Sequence, residues 1–183
     1  RPPRLFATPL YVHAVELTQG PLAGRKVSAL YVVTTTGFAY AINAAQAGTA
    51  ASGNVLWRQQ LTAKPCSEGT MGNLSTPIID MDRHRLYVTS CSGRLSAADQ
   101  GAESRDWSVH ALDIRSGEQL PGWPVAIDPA TLNAPGVNKN GRRRYKEEVR
   151  HIQRGALNLS PDASRLYVAL GPDPSGWIVS VDT

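Results

Sequence analysis

Cysteine, methionine and phenylalanine are scarce in this 183-residue chain, with two of each. A disulfide-dense small scaffold and a cysteine-rich metal module are both excluded by that shortage. No run of eighteen uncharged apolar residues occurs, so nothing in the sequence is able to cross a bilayer as a helix. Neither a Gly-x-Ser-x-Gly elbow nor a Walker-type loop is present. Charged residues amount to 19% and apolar ones to 42%, too little charge for a disordered chain and enough apolar surface for a core. The first residue is Arg1 rather than Met, and on that ground an upstream segment is expected to have been removed.

The net charge is +4, and its placement matters more than its size. Between Lys139 and Arg154, seven cations stand against Glu147 and Glu148, a local net of +5 that leaves −1 for everything else. The basicity thus belongs to one insertion. Within it Arg142, Arg143, Arg144, Lys146 and Arg150 are candidate contacts to an anion or a partner, because guanidinium forks bind carboxylate and phosphate bidentately. A solvated loop, its arginines offset by the two glutamates, accounts for the same residues. Tyr145 gives no series of stacking rings, so nucleic acid is not the expected partner.

Cys66 and Cys91 lie 25 positions apart, with no Cys-x-x-Cys and no histidine-rich neighbourhood to suggest zinc. They form a bridge or they are two separate small apolar fillers. A bridge would indicate an oxidising compartment, and closing such a loop is worth about 3 to 4 kcal/mol.

Apolar residues alternate with a period of two, and no helical stripe persists, so the chain reads as all-β. Three strands line up as copies: Ala29-Leu30-Tyr31-Val32-Val33, Arg85-Leu86-Tyr87-Val88-Thr89 and Arg165-Leu166-Tyr167-Val168-Ala169. Asp82 and Asp162 each precede their arginine by three places and mark hairpin turns, Ser160-Pro161-Asp162 having the signature of a type I turn. Each copy is followed by a small residue, an aliphatic one and Asn or Asp: Ala41-Ile42-Asn43, Ala111-Leu112-Asp113 and Ser180-Val181-Asp182. Asn43, Asp113 and Asp182 are expected to accept backbone N–H groups as the strand turns. Gly53-Asn54-Val55-Leu56-Trp57 and Gly117-Glu118-Gln119-Leu120, with Trp123 slightly displaced, supply an outer strand. Thr8-Pro9 and Thr76-Pro77 open the inner ones, where a missing donor costs least.

The repeated unit is a blade of four antiparallel strands, and the expected fold is a β-propeller, about two and a half to three blades of an incomplete ring. The units run over about residues 5–62, 72–130 and 150–183, with the basic insertion at 139–154. Their Leu-Tyr-Val strands are 56 and then 80 residues apart, as loop insertions on a common scaffold produce. An open arc exposes two apolar faces. The remaining blades of the same polypeptide, or an associated chain, are the expected partners of those faces.

These residues resemble the repeats of pyrroloquinoline-quinone (PQQ) type β-propellers, whose blades carry Ala-x-Asp-x-x-x-Gly-x-x-x-Trp. Ala41, Asn43, Gly53 and Trp57 match in the first unit, with Asn for Asp and an insertion before Gly53. Ala111, Asp113 and Gly117 match in the second at the family spacing, with Trp123 two positions late, and Ser180 and Asp182 match in the third. The likeness covers nearly the whole chain. The Gln153-Arg154-Gly155-Ala156-Leu157 stretch and Ser175-Gly176-Trp177 are similar to segments of exported bacterial proteins with quinoprotein-like repeats. The resemblance implies structural roles for Trp57 and Trp123, docked against a neighbouring blade, which suits a large ring whose N–H needs an acceptor. For a working quinone enzyme it implies a cofactor on the ring axis, a calcium ion, a vicinal cysteine pair and a catalytic Asp. This sequence has no Cys-Cys dipeptide, and Asp80 and Asp82 fall in hairpin-turn register.

His13, His84, His110 and His151 are scattered over different units, and no two share a ligand spacing. Ser90 to Arg105, rich in small residues, reads as a surface excursion. Two functions are expected. The first is a non-catalytic propeller, extracellular or periplasmic, that offers a face to protein or glycan and carries no cofactor. The second is part of a PQQ-dependent alcohol or sugar dehydrogenase, with PQQ and calcium held in the complete ring and the active site largely outside this chain.

Overall fold

A computed structural model describes residues 2–45, 51–95, 103–128, 131, 151–171 and 176–183. Among them the chain is all-β, in three antiparallel sheets. Sheet one is β1 (Leu10–Glu16), β2 (Lys26–Val33), β3 (Phe38–Asn43) and β4 (Val55–Gln60). After a single helical turn, α1 (Cys66–Gly69), sheet two follows as β5 (Ile78–Asp80), β6 (Arg85–Leu95), β7 (Glu103–Asp113) and β8 (Val125–Ile127). Sheet three has β9 (Asn158–Leu159), β10 (Arg165–Leu170) and β11 (Trp177–Asp182). Every strand pairs with its sequence neighbours, so each sheet is a meander, the blade pattern, and the three do not close a ring.

The repeat seen in the sequence is one of register. Leu30 stands opposite Ile42, Leu86 opposite Leu112 and Leu166 opposite Val181, while Tyr31, Tyr87 and Tyr167 oppose Ala41, Ala111 and Ser180. The residue after each Asn or Asp closes its unit in the same way: Ala44 N–H donates to Ser28 C=O (2.8 Å), Ile114 to His84 (3.0 Å) and Thr183 to Ser164 (3.2 Å).

Because side chains alternate across a strand, each sheet has a leucine face and a tyrosine face. Leu86, Val88 and Leu112 of sheet two pack on Tyr31, Ala41 and Trp57 of sheet one in one core. Tyr87, Val109 and Ala111, from the opposite face of sheet two, pack on Leu166, Val168 and Val181 of sheet three in another. The middle sheet is buried on both sides, as Leu86, Tyr87, Leu112 and Ala111 at 0% exposure record.

Two local expectations change, at Ser90–Arg105 and in the Asn/Asp series, and of the two readings of the cysteines the bridge is the one formed. The stretch from Ser90 to Arg105 is not an excursion at its ends: β6 and β7 stay paired out to Leu95 and Glu103, forming an eleven-residue hairpin arm. Cys66 and Cys91, both fully buried, are joined by a disulfide with Cα atoms 5.5 Å apart, which pins that arm to α1. Asn43 differs from its counterparts too, since its side-chain amide donates to Ala51 C=O (3.0 Å). Asp113 does accept the backbone N–H of Arg115 (2.8 Å), whereas exposed Asp182 pairs with the Arg165 guanidinium (3.0 Å).

Candidate functional site

The junction between sheets one and two is built from a few groups that the repeat delivers. Trp57 is 9% exposed, and its indole N–H donates to Ile114 C=O (2.9 Å), on which the fully buried Tyr31 hydroxyl also converges (3.0 Å). Burial, then the nearby Asp113 charge, pushes the Tyr31 phenol far up, so it stays protonated and keeps the proton it donates. Gly117 sits beneath the indole at φ +78°, and a Cβ there would come within 2.6 Å of the ring. Glycine is required twice over, for the left-handed backbone and for the close approach. Gly117 N–H in turn donates to Asp113 C=O (2.7 Å). The Asp113 carboxylate is gripped by Arg115 (2.7 Å), which outweighs burial and holds it below the usual carboxylate range. Trp123 lies 5.6 Å from Tyr87, nearly repeating the 5.7 Å between Tyr31 and Trp57.

The register of β6 and β7 assembles a second polar group that the sequence reading missed. Val88 opposes His110, and two residues on Ser90 Oγ reaches His110 Nε2 (2.8 Å) while His110 Nδ1 meets Gln119 Oε1 (2.8 Å). Gln119 Nε2 donates to Ala111 C=O (3.0 Å), so Oε1 accepts. His110 therefore carries its proton on Nδ1 and Ser90 donates to Nε2. This is the hydrogen-bond order of a serine nucleophile and its base. Ser90 is 1% and His110 3% exposed, however, so no acyl group can approach the hydroxyl, and the trio serves to satisfy buried polar atoms. Beside it Thr89 Oγ1 donates to Gln153 Oε1 (2.7 Å), and Asn73 and Ser75 bond Thr89 from the other side. Gln153, fully buried, ties the segment before β9 to sheet two.

The starts of the inner strands converge on Thr76. Its Oγ1 accepts Thr8 N–H (3.0 Å) and its carbonyl accepts Leu157 N–H (3.1 Å). Arg154, exposed, lies over the Phe6 ring at 6.0 Å, at the edge of a cleft of about 420 Å³ lined by Ile152, Gly155, Ala169, Leu170 and Gly171. This is where the chain re-enters from the basic insertion. Arg142, Arg143, Arg144, Lys146 and Arg150 themselves lie outside the described residues.

The described carboxylates do not fit a calcium–quinone centre. Asp80 is committed to Arg83 (2.8 Å), which against the effect of burial keeps it below the ordinary range, and Asp162 is held at about 2 by the hydroxyl of Ser160 and by Ser164. No three of His, Cys, Asp and Glu gather as metal ligands among the described residues, and the two cysteines are spent on a long-range bridge. Compared with protein-family models, curated proteins and solved structures, the chain matches none.

Proposed function

We propose that the chain is a non-catalytic propeller scaffold and binding module of the PQQ-like repeat type, exported to the periplasm or the cell exterior, that presents its insertion face to an anionic glycan or protein. One observation carries this reading: among the described residues, the polar side chains that the repeat brings together are committed to one another. Asp80 and Asp113 hold arginines, while His110 and Ser90 hold each other out of solvent. The buried disulfide supports export, since such bridges persist in oxidising compartments. The basic insertion supports the anionic partner, because it concentrates guanidinium groups on a connection between blades, where binding residues gather.

The test is binding of the chain to immobilised heparin and to neutral dextran across a salt series. Heparin binding that falls with salt and weakens at least about tenfold on joint Arg142→Ser, Arg143→Ser and Arg144→Ser substitution is expected. Equal binding to both matrices, or none, counts against it. Titration with PQQ and Ca²⁺ is the opposing arm: dye-linked alcohol oxidation would replace this reading with the dehydrogenase one.

A further inference from the structure

Sheet three has a gap in its ladder. On one edge of β10, Tyr167 pairs with Asn158 and Gly171 with Ile152, so residues 167–171 of the strand face the longer run 152–158 of the incoming chain. The surplus bulges away, and Leu157 N–H turns from the strand to Thr76 C=O (3.1 Å). Gly171 N–H donates to Ile152 C=O (2.8 Å), and its carbonyl accepts Ile152 N–H. Backbone groups on one edge recur at every second residue, so Ala169 turns its N–H and C=O to the same edge, where no described backbone group pairs with them. Beside this gap lies the cleft of about 420 Å³, a size that ligand sites have, and Ile152, Ala169 and Leu170 give it an aliphatic lining. At its rim stands Arg154, exposed, its guanidinium over the Phe6 ring and paired with no carboxylate among the described residues.

We infer that this cleft is a binding site for the C-terminal residue of a polypeptide that ends in an aliphatic side chain. On one edge, such a residue carries an N–H for Ala169 C=O and a carboxylate oxygen for Ala169 N–H, the pairing used in strand addition. Its charge is met by Arg154, the one cation lining the cleft, through a charge-assisted hydrogen bond. Its side chain takes up the aliphatic lining. A glycan is the poorer occupant, because sugar hydroxyls taken out of water need polar partners and the side chains of Ile152, Ala169 and Leu170 offer none. The inference goes beyond the binding reading, which rests on Arg142, Arg143 and Arg144, and either can fail without the other.

The test is fluorescence anisotropy of the chain with two labelled peptides, fluorescein-Gly-Ser-Gly-Ser-Val-Leu with a free C-terminal carboxylate and the same peptide as its amide. Saturable binding of the acid is expected, with the amide at least about tenfold weaker. Arg154→Gln should bring the acid down to the level of the amide. Gly155→Leu should abolish binding of both, since a Cβ there meets nothing closer than Ala169 Cβ at 3.8 Å and the longer side chain extends into the cleft without displacing backbone. Both positions are exposed, so each variant should keep its Tm within about 3 °C of the parent, and heparin binding should survive Gly155→Leu. Overturning results are no saturable binding of the acid up to about 1 mM, acid and amide that bind alike, or peptide binding that survives Gly155→Leu. Peptide binding that Arg154→Gln leaves intact and the joint Arg142→Ser, Arg143→Ser and Arg144→Ser substitution removes would assign the carboxylate to the insertion and overturn the inference as well.

Discussion

Ile114 C=O is the most informative single group in the molecule, because two aromatic donors from another sheet end on it. Trp57→Phe and Tyr31→Phe each remove one donor and should each cost about 1 kcal/mol, whereas the double variant leaves a buried carbonyl unpaired and should exceed the sum by about 1 kcal/mol or more. Urea unfolding of the four proteins gives that coupling directly. His110 supplies the pH dependence. Burial lowers its pKa, partly offset by Gln119, so the unfolded chain binds a proton that the folded one refuses. Stability is full above the unfolded value of about 6.5 and falls as pH drops through it toward the folded value. His110→Gln should flatten unfolding free energies measured between pH 7.5 and 5.5 relative to the parent's decline; an unchanged slope would assign the titration elsewhere. At this scale the sequence was partly legible. Gly117 and Trp57 stood out by motif spacing, but the Ser90–His110–Gln119 trio is visible only once β6 and β7 are set in register, since no short spacing links the three.

At the scale of elements, the eleven-residue arm of β6 and β7 is a long hairpin held at its root by a disulfide and by Trp107, whose indole N–H donates to His151 C=O (3.0 Å). The bridge closes 25 residues, so joint Cys66→Ser and Cys91→Ser substitution should cost about 3 to 4 kcal/mol in guanidinium unfolding. A loss below about 1 kcal/mol would mean that the arm is held by its other contacts alone. Strand copies, hairpin turns and the Thr-Pro openings were legible, because alternation and turn chemistry act locally. The arm was not. Its small residues, Ser90, Cys91, Ser92 and Gly93, have the composition of a loop, and it is pairing with Ser108, Trp107, Asp106 and Arg105 that makes them strand.

For the whole molecule, three blade-like sheets stack leucine face on tyrosine face and leave one of each face bare. This much follows from the sequence, since three copies of one alternating strand can hide both faces only of the middle one. The ligand proposed for the basic insertion is not legible, because charge names a class of ligand and not a ligand. The account stands on the sheets being successive blades, and the contact between Trp57 and Gly117 tests this most directly, as it joins the outer strand of sheet one to the turn that ends β7. In proton NMR spectra of the chain, the α protons of Gly117 should be shifted strongly upfield by the indole ring and show cross-relaxation to it. Gly117 α protons at ordinary glycine positions, with the Trp57 ring touching only residues of sheet one, would contradict the account.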